Sequence, residues 1–146
     1  MSVEKVLVAI PTYNASAYVK KAVQSILDQT YKDLLCLILD DGSTDQTTSI
    51  IKELTDNRIK LLQFDHSGPG NIMNKAIQFA VENNYDYIAR MDADDISLPD
   101  RLMEQMGLLK NHSNAAACSC NCFYIHCDTE MIIGSSTVSI SKKLIQ

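Results

Sequence analysis

The sequence predicts an α/β fold, a three-layer α/β/α sandwich with a mostly parallel central sheet, and three observations predict it. Short apolar runs alternate with segments of helical period over most of the 146 residues. The apolar runs are continuous rather than alternating with polar residues, which is typical of a sheet covered on both faces. Four successive strand–helix repeats specify right-handed parallel crossovers.

Four apolar runs are the predicted strands of this sheet. They lie at 6–10, 34–39, 59–63 and 87–91. After residue 111 the alternation of strand and helix stops, and the apolar stretches at 115–125 and 131–133 are predicted to be antiparallel strands outside the main sheet. Because no linker, repeat or low-complexity segment interrupts the chain, we expect a single domain over residues 1–146.

Helical periods lie between the predicted strands. The first helix is predicted over 17–29, the second over 45–54, and the third after a turn at 68–70. Apolar residues on one face of a helix recur every three or four positions. The residues expected on the inner faces are Tyr18, Ala22, Val23, Ile26 and Leu27 in the first helix, and Ile72, Ala76, Ile77, Ala80 and Val81 in the third.

Polar residues mark the expected starts of two helices. Ser43 or Thr44 is expected to cap the second helix, with Gln46 in the position of a capping box. Ser97 is expected to cap a fourth helix, with Pro99 in its first turn.

Composition narrows the class of protein. With 13 Lys and Arg against 18 Asp and Glu, the net charge is −5, which argues against a nucleic-acid partner. No apolar run approaches the ~18 residues of a spanning helix, and no signal-peptide pattern begins the sequence. Five cysteines, an odd number, indicate reduced thiols. We expect a cytoplasmic protein; a peripheral position at the inner face of the membrane and a homo-oligomer are both left open.

Polar and acidic residues follow three of the four predicted strands. Ligands of open parallel sheets bind beyond the carboxyl ends of the strands. Carboxylates that converge there repel one another and attract divalent cations, and a cluster of oxygen ligands suits Mg²⁺ or Mn²⁺. The segments are Pro11, Thr12, Tyr13 and Asn14 after the first strand, Asp40 and Asp41 after the second, and Asp92, Ala93, Asp94 and Asp95 after the fourth.

Each of these segments has a plainer interpretation when it is taken alone. Acidic residues at a helix start often act only as caps, and Asp40-Asp41-Gly42-Ser43 is a common turn sequence. His66 is interpreted as a loop residue. The coincidence at three strand ends favours a site. A dinucleotide fold and a phosphate-loop ATPase are excluded, because neither glycine-rich motif occurs.

Together these motifs resemble family 2 glycosyltransferases. The resemblance rests on residues 6–14, 25–31, 39–45, 68–74 and 92–102, in that order along the chain, and it spans residues 6–110. It implies the GT-A fold, a nucleotide-diphosphate sugar donor with a UDP-sugar as the first candidate, and Mg²⁺ or Mn²⁺. It also implies transfer with inversion to the hydroxyl of a carbohydrate or lipid-linked acceptor, in polysaccharide or glycoconjugate synthesis.

The resemblance assigns a role to each matching position. In this assignment residues 6–110 form the nucleotide-sugar-binding core, and residues 111–146 begin the acceptor-side half. The resemblance places Pro11, Thr12, Tyr13 and Asn14 around the base and ribose, with Asp41 as acceptor for the ring N–H of the base and Asp40 beside it. It places Gly68 and Asn74 at the border of the nucleotide, and Asp92 with Ala93 near the ribose. Asp94, with Asp92, is the implied metal ligand.

The sequence departs from the family pattern at two points. The family's general base lies well downstream of the Asp92–Asp94 element, whereas Asp128 and Glu130 follow it too closely. Met73 also stands where an arginine is common in the family. We therefore expect a domain truncated on its C-terminal side, with the general base outside this chain. The alternative to an active transferase is an inactive or truncated module that binds nucleotide-sugar and metal.

Overall fold

The structure is a computed structural model that describes residues 4–112, 114–120, 122–125 and 132–136. The chain divides into two compact units, Met1–Asp100 and Arg101–Gln146. The boundary expected from the sequence at residue 110 stays a prediction. Within the described residues, no helix is both long and apolar enough to cross a bilayer.

A four-stranded parallel sheet forms the centre of the first unit. Its strands are β1 (Val6–Thr12), β2 (Leu34–Asp40), β3 (Ile59–Gln63) and β4 (Tyr87–Arg90). They lie in the order β3-β2-β1-β4, and every neighbouring pair is parallel. All four predicted strands are confirmed to within two residues at either end. The two central strands, β1 and β2, are almost entirely buried, as continuous apolar runs in a sheet covered on both faces should be.

Helices cover both faces of this sheet. They are α1 (Val19–Leu27), α2 (Thr47–Lys52) and α3 (Pro69–Glu82). Strand side chains alternate between the two faces, so residues on both faces are buried, and α1 packs against β2 and α2. The predicted three-layer arrangement is confirmed. The core cluster on the α3 face consists of Leu7, Ala9, Leu37, Leu39, Ile72, Ala76 and Ala80.

The predicted inner faces of two helices were too wide. Tyr18, Ile77 and Val81 were expected to be buried, but they are 48%, 49% and 72% exposed. Tyr18 precedes the first turn of α1. Ile77 and Val81 each follow a buried alanine by one position, which rotates them about 100° away from the sheet.

The predicted helix caps are wrong, because the polar side chains form tertiary hydrogen bonds instead. The residue before α2 is Gln46, which makes no side-chain capping bond, while Ser43 Oγ accepts the N–H of Asn14 at 2.9 Å. The fourth helix, α4 (Arg101–Asn111), begins four residues after Ser97. Ser97 Oγ accepts a hydrogen bond from Gln29 Nε2 at 3.0 Å.

The second unit contains α4 and two further strands, β5 (Cys122–Ile125) and β6 (Ile132–Ser136), which pair antiparallel. The predicted antiparallel pairing is therefore confirmed. The first of these strands is shorter than expected, since residues 114–120 lie outside it. Asp128 and Glu130 lie outside the described residues.

Candidate functional site

The candidate site lies at the carboxyl edge of the parallel sheet. Since β1 lies between β2 and β4, the residues that follow these three strands meet at one edge. The chain runs from β1 to β2 on one side and returns to β4 on the other, so the strand order reverses next to β1. Such a reversal is where open α/β sheets bind ligands. Neighbouring strands lie about 4.8 Å apart, which places the ends of β2 and β4 roughly 10 Å from each other.

The end of β1 presents one exposed aromatic ring above a fixed turn. Thr12 is buried, and its hydroxyl donates to the carbonyl of Leu39 at 3.3 Å. Tyr13 is 49% exposed. Asn14 adopts a positive φ of 49°, and its Oδ1 accepts the N–H of Thr44 at 2.9 Å. Pro11 lies half-buried within β1, so all four predicted residues of this segment are at the edge of the sheet.

Hydrogen bonds join the loop after β1 to the loop after β2. The N–H of Ala15 donates to Thr47 Oγ1 at 2.8 Å, and the N–H of Ser16 donates to Asp45 Oδ2 at 3.1 Å. The Thr47 hydroxyl donates to Asp45, and this bond, together with the N–H groups of Thr47 and Ser16, holds the pKa of Asp45 well below its ordinary value against some desolvation. The two loops therefore form one connected rim.

Asp40 is buried at the end of β2. Its Oδ2 accepts the N–H of Ser43 at 3.2 Å. Its Oδ1 has no hydrogen-bond partner within the described part of the chain. Asp40 therefore lies beneath the rim rather than on it.

Asp41 fastens the loop between β3 and α3 to the end of β2. Its Oδ1 accepts the N–H of Ser67 at 2.7 Å, and its Oδ2 accepts the N–H of Gly68 at 2.9 Å. Burial raises the pKa of the Asp41 carboxyl, but these bonds, the Ser67 hydroxyl and nearby His66 together hold that pKa below its ordinary value. A charged carboxylate thus anchors the loop.

His66 completes this edge, although the sequence pattern treats it as an ordinary loop residue. Its Nδ1 lies 3.0 Å from the carbonyl oxygen of Asp41 and 3.1 Å from Asp41 Oδ2. Its ring lies against the ring of Tyr13, with 4.4 Å between centroids and 32° between planes. Sequence reasoning missed His66 and Ser67, because no motif marks a residue whose role arises from contact between the ends of β1, β2 and β3.

The turn after β4 carries the predicted metal ligands. Asp92 Oδ1 accepts a hydrogen bond from Arg90 Nη2 at 2.8 Å, and both side chains are about half exposed. Ala93 is buried, which fixes the turn, and the N–H of Asp95 donates to the carbonyl of Asp92. Asp94 is exposed, and no described residue forms a hydrogen bond or ion pair with its carboxylate.

This turn suits a cation that also binds phosphate. Among the described residues, no group of three or more His, Cys, Asp or Glu side chains is placed to hold a metal ion. Mg²⁺ sites that use one or two carboxylates complete their coordination with phosphate oxygens and water. Asp94 and Asp92 meet that requirement, so these residues fit the predicted Mg²⁺ or Mn²⁺ as partners of a bound diphosphate. Asp41, which was not expected to ligate the ion, accepts hydrogen bonds from the loop before α3 instead. The assignment of Asp94 and Asp92 as metal ligands stays a prediction.

The two remaining predicted residues lie on the third helix. Gly68 precedes α3 with a φ of 90° and donates its N–H to Asp41. Asn74 lies on an exposed side of α3, in its second turn. The structure therefore connects Gly68 to the rest of the site and gives no such contact for Asn74.

The parallel sheet and its covering helices have the GT-A fold that solved transferases share. Residues 1–349 of S. aureus TarS in complex with UDP match the chain with a TM-score of 0.67 and 26% identity, over 76% of this chain and 33% of that one. The mannosyltransferase PcManGT from Pyrobaculum calidifontis, in complex with GDP-Man and Mn²⁺, matches with a TM-score of 0.60 over 72% of this chain and 32% of that one. At 22% identity, PcManGT supports the fold alone.

The chain belongs to glycosyl transferase family 2, whose model matches residues 7–142. An uncharacterized glycosyltransferase of Haemophilus influenzae is 33% identical over 77% of this chain and 45% of its own length. The Escherichia coli enzyme WfgD, named as a UDP-Glc:alpha-D-GlcNAc-diphosphoundecaprenol beta-1,3-glucosyltransferase, is 35% identical over 73% of this chain and 42% of its own length. The chain thus spans less than half the length of these two relatives.

Proposed function

We propose that this chain binds a nucleotide-diphosphate sugar, with a UDP-sugar as the first candidate, together with Mg²⁺ or Mn²⁺. The observation that carries the proposal is the placement of Tyr13 and Asp94 at one edge of the sheet, after strands that are neighbours. An aromatic ring suits a base, and an exposed carboxylate suits the cation of a diphosphate. A nucleoside diphosphate that lies across the rim reaches both.

The reaction that this arrangement serves is transfer of the sugar to an acceptor hydroxyl with inversion. Asp94, with Asp92 beside it, would hold a divalent cation, which would supply positive charge to offset the charge of a departing diphosphate. Asp92 is oriented by its ion pair with Arg90. The acceptor hydroxyl also needs a general base. We assign that role to no residue here and expect the base outside this chain.

The similar proteins support the donor and the acceptor class. TarS has been solved in complex with UDP and with UDP-GlcNAc. The name of WfgD specifies a UDP-sugar donor and a diphosphoundecaprenol-linked acceptor. We therefore propose a carbohydrate or lipid-linked acceptor in polysaccharide or glycoconjugate synthesis. A lipid-linked acceptor would bring a cytoplasmic protein to the inner face of the membrane.

Calorimetric titration of UDP in the presence and absence of Mn²⁺ tests the binding proposal. Wild-type protein should bind UDP more tightly with Mn²⁺, and Asp94→Asn should weaken the Mn²⁺-dependent binding by about tenfold or more, since it removes the charge of the metal ligand. Asp86→Asn is the matched control, because Asp86 is exposed at the opposite end of β4. Binding of UDP that is the same in Asp94→Asn as in wild type, with Mn²⁺ present, would refute the metal assignment.

The alternative is a module that binds nucleotide-sugar and metal without transferring the sugar. The observation that keeps it open is that the chain spans less than half of the relatives it matches. Release of labelled sugar from a UDP-sugar donor separates the two functions. Turnover that disappears in Asp94→Asn supports a transferase, whereas UDP binding without any turnover supports the binding module.

A further inference from the structure

The loops at the carboxyl edge of the parallel sheet contain aspartates but neither lysine nor arginine. These loops are residues 13–18, 41–46, 64–68 and 91–100. Like charges repel, so the loops by themselves disfavour an anion such as a diphosphate. Arg90, the last residue of β4, comes directly before the acidic turn. The positive charge that is nearest along the chain to the predicted metal ligands therefore belongs to a strand and not to a loop.

The contact of Arg90 with Asp92 uses only a small part of the guanidinium. Arg90 Nη2 donates to Asp92 Oδ1 at 2.8 Å, and within the described residues the Arg90 side chain forms no second hydrogen bond or ion pair. A guanidinium has several N–H donors. The side chains of Arg90 and Asp92 are 58% and 50% exposed. Most of the donors of Arg90 can therefore bind a ligand.

A second arginine–aspartate pair in the chain has a different geometry. Arg58 and Asp56 are also two residues apart, but Arg58 Nε and Nη2 donate to both carboxylate oxygens of Asp56, at 3.1 Å and 2.8 Å. Both of these side chains are only 26% exposed. Arg58 thus directs its fork at its partner, whereas Arg90 makes a single bond. Exposed pairs of this kind contribute little to stability, so a more highly charged ligand competes easily for the donors of Arg90.

Arg90 and the N-terminus of α3 lie on the same face of the sheet. Arg90 is paired in register with Ala9, which belongs to the core cluster on the α3 face. Helix α3 has 14 residues and begins at Pro69, directly after the loop that follows β3. A helix N-terminus favours negative charge. Two groups that attract an anion therefore lie on one face of the sheet, close to its carboxyl edge.

We propose that Arg90 binds the diphosphate of the donor directly, through the N–H groups that Asp92 does not use. The planar guanidinium presents its donors as a fork that matches two phosphate oxygens. Arg90 is then a binding residue for the donor as well as a positioning residue for Asp92. This inference rests on the proposed function, because it requires a nucleoside diphosphate at this edge of the sheet.

The experiment measures the dissociation constant of UDP in wild type and in Arg90→Met, by calorimetry with Mn²⁺ and by ligand-observed NMR in EDTA. Arg90→Met should weaken binding by about tenfold under both conditions, because a contact with the diphosphate does not require the cation. Arg90→Lys keeps the charge without the fork, so it should recover part of the loss. Melting temperatures without nucleotide establish that the variants fold, and Arg90→Gln replaces Arg90→Met if methionine disturbs the strand.

Arg58→Met is the matched control, because Arg58 forms the same type of ion pair before β3, at the opposite edge of the sheet. It should bind UDP as wild type does. A loss in Arg90→Met that occurs only with Mn²⁺ would show that Arg90 acts through Asp92 alone and would overturn the inference. Unchanged affinity in Arg90→Met, or wild type that binds UDP with Mn²⁺ but not in EDTA, would overturn it as well. Wild type that binds UDP under neither condition would overturn the proposed function itself.

Discussion

At the residue scale, the geometry of the site depends on a position without a side chain. Gly42 follows the loop anchor Asp41 and adopts a φ of 77°, a conformation that L residues with a Cβ rarely adopt. The backbone of His66 passes so close that a Cβ on Gly42 would lie 2.9 Å from its nitrogen. Position 42 must therefore allow a positive φ and must leave room for the His66 backbone, so that Asp41 can reach Ser67 while His66 lies over the turn.

We expect Gly42→Ala to lower the free energy of unfolding by about 1–3 kcal/mol, because it adds backbone strain and a contact with main-chain atoms that cannot move away cheaply. Urea denaturation at pH 7 measures this change. Gly107→Ala is the control, since Gly107 lies within α4 with open space around it. That substitution should stabilise the protein by about 0.5–1 kcal/mol. Equal effects of the two substitutions would contradict the role assigned to Gly42.

At the scale of secondary-structure elements, a buried amide fixes the segment that follows the acidic turn. Gln29, just beyond α1, is fully buried. Its Nε2 donates to the carbonyl of Leu98 at 2.7 Å, to Ser97 Oγ at 3.0 Å and to the carbonyl of Ser25 at 3.1 Å. The end of α1 is thereby fastened to the chain shortly after Asp94, next to the turn that carries the proposed metal ligands.

We expect Gln29→Ala to lower the free energy of unfolding by about 2–3 kcal/mol, because it leaves buried acceptors without a donor. Chemical denaturation measures the loss. Gln24→Ala, at an exposed position of α1 whose amide donates to the exposed Asp28, should change stability by less than about 0.5 kcal/mol. A similar loss in both variants would show that the hydrogen bonds of the buried amide do not account for the effect.

The strands and the buried Gln29 show which features the sequence could predict and which it could not. The strands and their polar ends follow from local patterns, since short, mostly apolar runs mark the four strands and parallel strands end at one edge. The bonds of Gln29 and the contacts of His66 join residues that are far apart in sequence, and no local pattern encodes them. Ser97 shows the same limit, because its capping motif predicts a helix start, whereas α4 begins four residues later and a distant buried amide donates to the Ser97 hydroxyl.

At the scale of the whole molecule, several carboxylates stabilise the fold in their charged form. Hydrogen bonds hold the pKa values of Asp41 and Asp45 below the ordinary 3.8, although desolvation opposes them. The guanidinium and N–H of Arg58 lower the pKa of Asp56 in the same direction. Asp41 and Asp45 connect the loops of the candidate site, whereas Asp56 lies in the turn before β3. Acid should therefore loosen the sheet edge as well as destabilise the fold.

Since the folded pKa of each of these groups lies below its unfolded value, the stabilisation is fully present above about pH 4 and is lost as pH falls through the folded values. We expect the free energy of unfolding, measured by urea denaturation, to be nearly constant from pH 7 to 5 and to fall steadily from pH 4 to 2.5. Asp41→Asn should be less stable at pH 7, and its stability should fall less steeply in acid, because the variant has one such proton fewer to bind. A wild-type curve that stays flat down to pH 2.5 would mean that these carboxylates do not stabilise the fold through their charge. If the variant curve runs parallel to the wild-type curve, Asp41 does not contribute to the acid dependence of stability. That dependence would then come from Asp45 and Asp56.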